Sequence, residues 1–335
     1  MRPPLEKEDQ SLIDRAAPAL AGGDLSDARL ASLADAEGID FATAALYHRV
    51  RSDPCRSAFI SRIECGETPP QPGQAPRVVV VPGAFAREYP HTGADGSRVF
   101  ELAARLGWPA ERVEVPSLAP VAENAAALAR VLARPRGDSG RPTIVVSLSK
   151  GGADVRAALD RPGAAEEWRS VRAWVSLSGI VTGTPLVDWL RARPLRCCGV
   201  RVLLRLRRQR FAVVDELRRG PGAPLGRPLV PPPGLRVVHV AAFPLEKYLG
   251  DAWARRGHAR LAPLGPNDGG GILLADVARL PGDLYPVWGV DHYLRPTWDI
   301  RPLLLRILTD AARGTVPATS KSPTMEPSVP RRSQA

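Results

Sequence analysis

Long apolar runs are missing from this chain. Nowhere in its 335 residues is there the stretch of roughly 18 apolar residues that a membrane-crossing helix needs. The start, Met1 to Asp9, lacks the apolar core of a signal peptide, and a cytoplasmic location is expected. Cysteine is scarce: four residues do not make a disulfide framework. Cys197 and Cys198 are adjacent, which disfavours a bridge. Cys55 and Cys65 have no second ligand pair with zinc spacing, so all four read as free thiols. Acidic residues are outnumbered, 35 against 46 basic, giving a net charge of +11. That excess is local rather than spread. Residues 191–220 hold ten Arg against Asp215 and Glu216. Aromatics make up only 5% and do not interleave with the basic residues, and no zinc-finger or RNA-binding signature occurs. Nucleic acid is therefore not an expected partner. The abundance of Arg, Ala, Pro and Gly matches a GC-rich coding bias.

What is present is 44% hydrophobic residues, enough for one large α/β domain with a small appendage. Residues 8–64 carry apolar positions at three- and four-residue spacing, and Ser26 reads as a helix N-cap. The expected organisation begins with an N-terminal helical segment over 1–67. A proline-rich linker over 68–76 follows, then a main domain over 77–313. Residues 314–335, rich in Ser, Pro, Thr and charge, read as a disordered tail. Within the main domain strands and helices alternate. Strands are expected at 77–81, 112–115, 142–147, 171–177, 235–242 and 285–289. Helices are expected at 96–106, 121–133, after residue 149, and at 300–313. This is the pattern of a mostly parallel sheet covered on both faces. Runs such as Val78 to Val81 suit strands buried on both sides.

The third of these strands ends in a telling way. Val145-Val146-Ser147-Leu148-Ser149-Lys150-Gly151-Gly152 is a β-branched run, a small–x–Ser–x–Gly turn, and a helix start. Such a turn holds a serine in a strained conformation with its hydroxyl raised from the sheet. The residues two before and two after it must be small, and here they are Ser147 and Gly151. The following helix points its N-terminal amides at negative charge developing near Ser149. A near-copy, Val175-Ser176-Leu177-Ser178-Gly179, ends the next strand without the Gly-Gly pair and reads as loop geometry.

From about 77 to 313 the chain resembles an α/β-hydrolase of the bacterial lipase/esterase type. Ser147 to Gly152 is similar to that family's nucleophile elbow, with Ser147 where Gly is usual. Val81-Pro82-Gly83-Ala84-Phe85 resembles its oxyanion loop, with Pro82 where His is common. Gly265-Pro266-Asn267-Asp268-Gly269 resembles its acid loop, and Gly289-Val290-Asp291-His292 its histidine loop. The order Ser149, Asp268, His292 is the family's order. The resemblance implies Ser149 as nucleophile, His292 as base and Asp268 as its orienting acid. It also implies an oxyanion hole of backbone amides from Lys150 and from Ala84 or Phe85. Asp291 and Glu246 are rivals for the acid. His48, His91, His239 and His258 are rivals for the base, with His239 in an apolar strand reading as a core histidine. No metal or cofactor is implied.

Residues 186–234 form an insertion where the family carries a lid or cap. Its stretch over 191–210 mixes Val and Leu with Arg. It reads either as a charged helix packing a Val/Leu stripe on the core, or as an amphipathic basic helix for an anionic lipid surface. The expected activity is hydrolysis of a small-molecule or lipid-like acyl ester through an acyl-enzyme, in an apolar acyl pocket beneath the insertion. A thioester or amide substrate, or transfer to another acceptor, fits the same machinery. A non-catalytic binding protein on the same fold is the reading from a different class.

Overall fold

The computed structural model describes residues 5–65, 75–116, 118–134 and 140–313. The reading of 314–335 and most of that of 68–76 lie outside the described residues. Among the described residues six strands form one sheet: β1 (Arg77–Val81), β2 (Ala110–Arg112), β3 (Thr143–Leu148), β4 (Val171–Leu177), β5 (Arg236–Phe243) and β6 (Asp283–Trp288). Their order is β2-β1-β3-β4-β5-β6, and every pairing is parallel.

Alternation along each strand sends side chains to opposite faces. Val79, Val81 and Val145 enter one core, whereas Val78, Val80, Ile144 and Val146 enter the other. Both faces are therefore dry, and apolar residues run unbroken from Val78 to Val81 and from Ile144 to Val146. The second strand is shorter than expected and starts earlier. Val113 and Val115 are buried in the core below the sheet; the Val113 amide still donates to Val80 O at 2.9 Å, and the pairing ends there. Pro82 offers no N–H to extend the pairing past the end of β1.

Among the described residues four α-helices precede the sheet: α1 (Lys7–Ala16), α2 (Asp27–Glu37), α3 (Ile39–Arg51) and α4 (Pro54–Cys65). Ser26 caps α2, its Oγ accepting from Arg29 N at 3.3 Å. These helices share the sheet's own cores. From α3, Leu46, Tyr47 and Val50 join the face that holds Phe243 and Trp288, and from α4, Phe59, Ile60 and Ile63 join the other. The Tyr47 ring lies 4.8 Å from Trp288 and 5.6 Å from Phe243. Asp9 of α1 is buried and accepts from Tyr248 Oη at 2.5 Å, Trp288 Nε1 at 2.8 Å and Lys247 Nζ at 2.7 Å.

The crossovers are carried by α5 (Ser97–Arg105), α6 (Val121–Ala133), α7 (Gly151–Leu159) and α8 (Ala164–Glu167). Between β4 and β5 come α9 (Pro185–Arg191), α10 (Pro194–Leu206) and α11 (Ala212–Glu216). Then follow α12 (Ala252–Leu261) and α13 (Leu274–Arg279) before β6, and α14 (Arg301–Ala312) after it. The packing reading of 191–210 holds for one face only: Leu204, with Val200 beside it, packs against Leu118 and Val213. Of the large apolar side chains of α10, Leu204 alone is buried, while Leu195, Val202, Leu203 and Leu206 face outward. No helix of the described residues is long and apolar enough to cross a membrane. Cys55, Cys65, Cys197 and Cys198 are all free thiols.

Candidate active site

The chain turns from β1 to β2 on one side and to β3 on the other, so the sheet order reverses at β1 and β3. Loops at the carboxyl ends of such neighbours diverge and leave a crevice. Ser149 follows β3 there, with φ of 49°. A left-handed serine costs about 1–3 kcal/mol, and the surroundings must hold it. They do so with backbone: Ser149 N donates to Leu177 O at 3.1 Å, and Ser149 O accepts from Ile180 N at 2.9 Å. Glycine on the following helix permits the close approach. A Cβ on Gly151 would lie 2.5 Å from Val81 O, and one on Gly152 2.7 Å from Gly179 Cα.

Ser147, the departure from the usual glycine, is buried and accepts from Trp174 Nε1 at 2.8 Å. The hydroxyl therefore satisfies an indole that would otherwise be an orphaned donor between β3 and β4. The near-copy Ser178 shares the left-handed conformation, with φ of 44°, but is buried, and no hydrogen bond reaches its Oγ among the described residues.

Three side chains meet at the crevice. The His292 Nε2 lies 2.8 Å from Ser149 Oγ, and its Nδ1 2.5 Å from Asp268 Oδ2. With Nδ1–H donating to the carboxylate, the neutral ring presents Nε2 as acceptor to the serine hydroxyl. The other carboxylate oxygen, Asp268 Oδ1, accepts the amides of Gly270, Gly271 and Ile272 at 2.9, 3.1 and 3.0 Å. The His292 amide donates to Asp268 O at 3.0 Å, tying the two loops together. Asp268 and His292 are buried, and Ser149 is half-exposed. Burial works against a charged imidazole, but the Asp268 carboxylate outweighs it and holds His292 above its usual range.

The rivals are occupied or distant. Asp291 is held by Arg295, whose Nε donates at 2.8 Å, and by the Tyr293 amide. Glu246 is exposed. His239 is buried in β5, its Nε2 3.2 Å from Pro281 O, and burial pushes it down to about 4, so it is neutral at ordinary pH. His258 is buried in α12 and its Nε2 has no hydrogen-bond partner among the described residues.

The expected oxyanion amides border the same place. A Cβ on Gly83 would sit 3.2 Å from both Leu148 O and Ser149 Cβ, so the loop after β1 lies directly against the elbow. Phe85 adopts a left-handed φ of 57°. Among the described residues no backbone carbonyl takes the N–H of Ala84, Phe85 or Lys150, which leaves those donors open. The Lys150 side chain turns away beneath the elbow. It is buried, and its Nζ donates to Asp154 Oδ1 at 2.7 Å, while Asn124 Nδ2 donates to Asp154 Oδ2 at 2.9 Å. Burial lifts the Asp154 carboxyl to about 6, against the pull of Lys150 and Asn124.

Two features carry no sequence signal that spacing alone reveals. A Cβ on Gly270 would lie 2.0 Å from His292 Cγ, so only glycine fits behind the imidazole. A narrow cleft opens beside Ser149 and His292, walled by Val99, Leu148, Leu177 and Leu304. None of its lining residues comes from 186–234; this cleft lies between α5, α14 and the strand ends.

No protein-family model matches the chain, and no curated protein matches it. Solved structures do. A metagenomic carboxyl esterase is similar over 72% of this chain and 77% of its own, with a TM-score of 0.54 and 22% identity. The mature Bacillus licheniformis lipase BlEst2 matches over 68% and 88%, with a TM-score of 0.48 and 22% identity. The type II thioesterase YbtT of the yersiniabactin pathway matches over 73% and 95%, with a TM-score of 0.40 and 14% identity. The parallel sheet, its helices on both faces and the likeness to the carboxyl esterase agree on one conclusion: the chain has the α/β-hydrolase fold.

Proposed function

We propose that this protein is a serine hydrolase that cleaves a carboxylic ester through an acyl-enzyme intermediate. The observation that carries the reading is the continuous relay from Ser149 Oγ through the His292 ring to Asp268, at 2.8 and 2.5 Å. A hydroxyl is a poor nucleophile at neutral pH, and an imidazole accepting its proton removes that obstacle. Ser149 attacks the ester carbonyl as His292 takes the hydroxyl proton. The amides of Lys150 and Ala84, with Phe85 beside them, stabilise the oxyanion. His292 returns the proton to the leaving alkoxide. Water, activated by the same imidazole, then releases the acid. Asp268 stays ionised throughout, holds the ring's tautomer and balances the imidazolium.

The cleft walled by Val99, Leu148, Leu177 and Leu304 receives the acyl chain in this reading. Residues 77–313 make up the catalytic domain, with 186–234 as a cap at its mouth. The fold is shared with a carboxyl esterase, which supports ester chemistry but leaves thioesters open.

The test is hydrolysis of p-nitrophenyl esters of graded chain length by wild type and Ser149→Ala. Turnover of at least one ester is expected, with a loss of roughly 10⁴-fold or more in the variant. Equal rates from both proteins would refute the assignment. Thioesters assayed in parallel separate the two substrate classes.

A further inference from the structure

Helix α10 has two apolar faces, and only one is used. At 3.6 residues per turn, Val200 and Leu204 lie one turn apart on the inner face. They pack with Leu118, Val213, Ala84 and Phe85. The opposite face carries Leu195, Val202 and Leu206, spaced by seven and then four residues, so they line one stripe. These side chains are 91%, 52% and 77% exposed. Leu203, on the stripe's flank, is 48% exposed. The described residues hold eight exposed large hydrophobics, and four of them are on this one helix. Solvent exposure of that kind, concentrated in one stripe, marks an interaction surface.

The charge around the stripe states what it meets. No Asp or Glu occurs from Arg191 to Val214. Arg196 lies on the stripe's Leu203 side, and Arg201 and Arg205 on the other. Arg207 and Arg208 continue past the helix end. Arg196 and Arg201 rest on the rings of Trp189 and Phe211, at 5.1 and 4.5 Å. Among the described residues no carboxylate pairs with Arg205, Arg207 or Arg208. A second copy would bring guanidinium against guanidinium. Nucleic acid would leave the leucines in water or against phosphates. A bilayer with anionic headgroups satisfies both sets at once: the leucines enter the acyl boundary and the long Arg side chains reach back to phosphates.

We infer that the outer face of α10 docks this protein on an anionic lipid surface. The test is flotation of the full chain with vesicles of phosphatidylcholine, alone or with about 30% phosphatidylglycerol. Binding at least about tenfold stronger to the anionic vesicles is expected, with loss of binding near 0.5 M salt, roughly. Leu195→Ser with Val202→Ser and Leu206→Ser should reduce it by about tenfold or more. So should Arg205→Gln with Arg207→Gln and Arg208→Gln, substitutions at exposed positions that leave folding intact by circular dichroism. Ser149→Ala should float as wild type does, which keeps this result separate from the hydrolase assignment. Absence of flotation, equal flotation on neutral vesicles, or unchanged flotation of either variant would overturn it. A wild-type dimer converted to monomer by the serine substitutions would make the stripe a contact between copies, and would overturn it too.

Discussion

At the scale of single residues the site depends on what is small and on what is hidden. Gly270 is not in a left-handed conformation, so its requirement is steric: any Cβ meets the His292 ring. Gly270→Ala is expected to swing the imidazole off Ser149 while the sheet stays intact. Ester turnover should fall by about 10²-fold or more, with the melting transition shifted little. Turnover within a factor of two of wild type would show that the ring has room to adjust. Lys150 is the second case. A lysine after the nucleophile invites a role at the substrate, but its ammonium is buried against Asp154. Breaking a buried pair by removing one partner costs about 3–5 kcal/mol, because the other charge is left alone. Asp154→Asn should lose stability on that order in chemical denaturation. Lys150→Met combined with Asp154→Leu should recover much of it. A double variant as unstable as the single would show that the pair itself, rather than the unpaired charge, holds the elbow.

At the scale of elements the crevice is built by four loops: three follow β1, β3 and β6, and the fourth joins α12 to α13. The loop from Gly265 to Leu273 wraps its amides around one oxygen of Asp268 and frees the other for His292. The loop after β6 hangs His292 from the Asp268 carbonyl. This geometry has a pH signature. The base must be neutral to accept a proton, and Asp268 holds it above its usual value of 6.5 despite burial. kcat/KM should therefore rise with pH through an inflection above 6.5. Asp268→Asn removes the larger raising charge and leaves the burial, with the smaller pull of Asp291 opposed by Arg295. Its residual activity, roughly 10⁴-fold lower, should titrate below 6.5. A wild-type profile flat from pH 5 to 8, roughly, would contradict this arrangement.

These elements were largely legible before any coordinates. β-branched runs between Gly and Pro breaks marked β1, β3, β4 and β5, since such runs form strands buried on both sides. The elbow was legible because strained turns accept few residue types. Ser147 looked like an irregularity only because its partner, Trp174, lies on the neighbouring strand. The second strand stops short of Val115 because that side chain is buried by tertiary contact, the last bond to β1 being from the Val113 amide to Val80 O. For α10 two readings stay open in the sequence, because periodicity states that a helix is amphipathic without stating which face the protein covers.

At the scale of the whole molecule the N-terminal helices are not an appendage in any energetic sense. Leu46, Tyr47 and Val50 of α3 are buried against the β5–β6 face. At roughly 1.5–3 kcal/mol for each side chain, they approach the roughly 5–15 kcal/mol that keeps a domain folded. A chain starting at residue 75 should therefore be insoluble or fail to show a cooperative unfolding transition. A truncated protein that melts as the full chain does would contradict the shared core. Spacing alone could not reveal this, because an amphipathic helix packs equally well on its own neighbours or on a distant sheet.

The central claim is that Ser149 is a nucleophile activated by His292, and covalent labelling by a fluorophosphonate tests it most directly. Intact mass should show one adduct on the full chain, mapped to the peptide bearing Ser149. The adduct should be absent in Ser149→Ala, strongly slowed in His292→Ala and unchanged in His239→Ala. A wild-type protein that takes up no label, or a Ser149→Ala variant that labels as fast as wild type, would contradict the account.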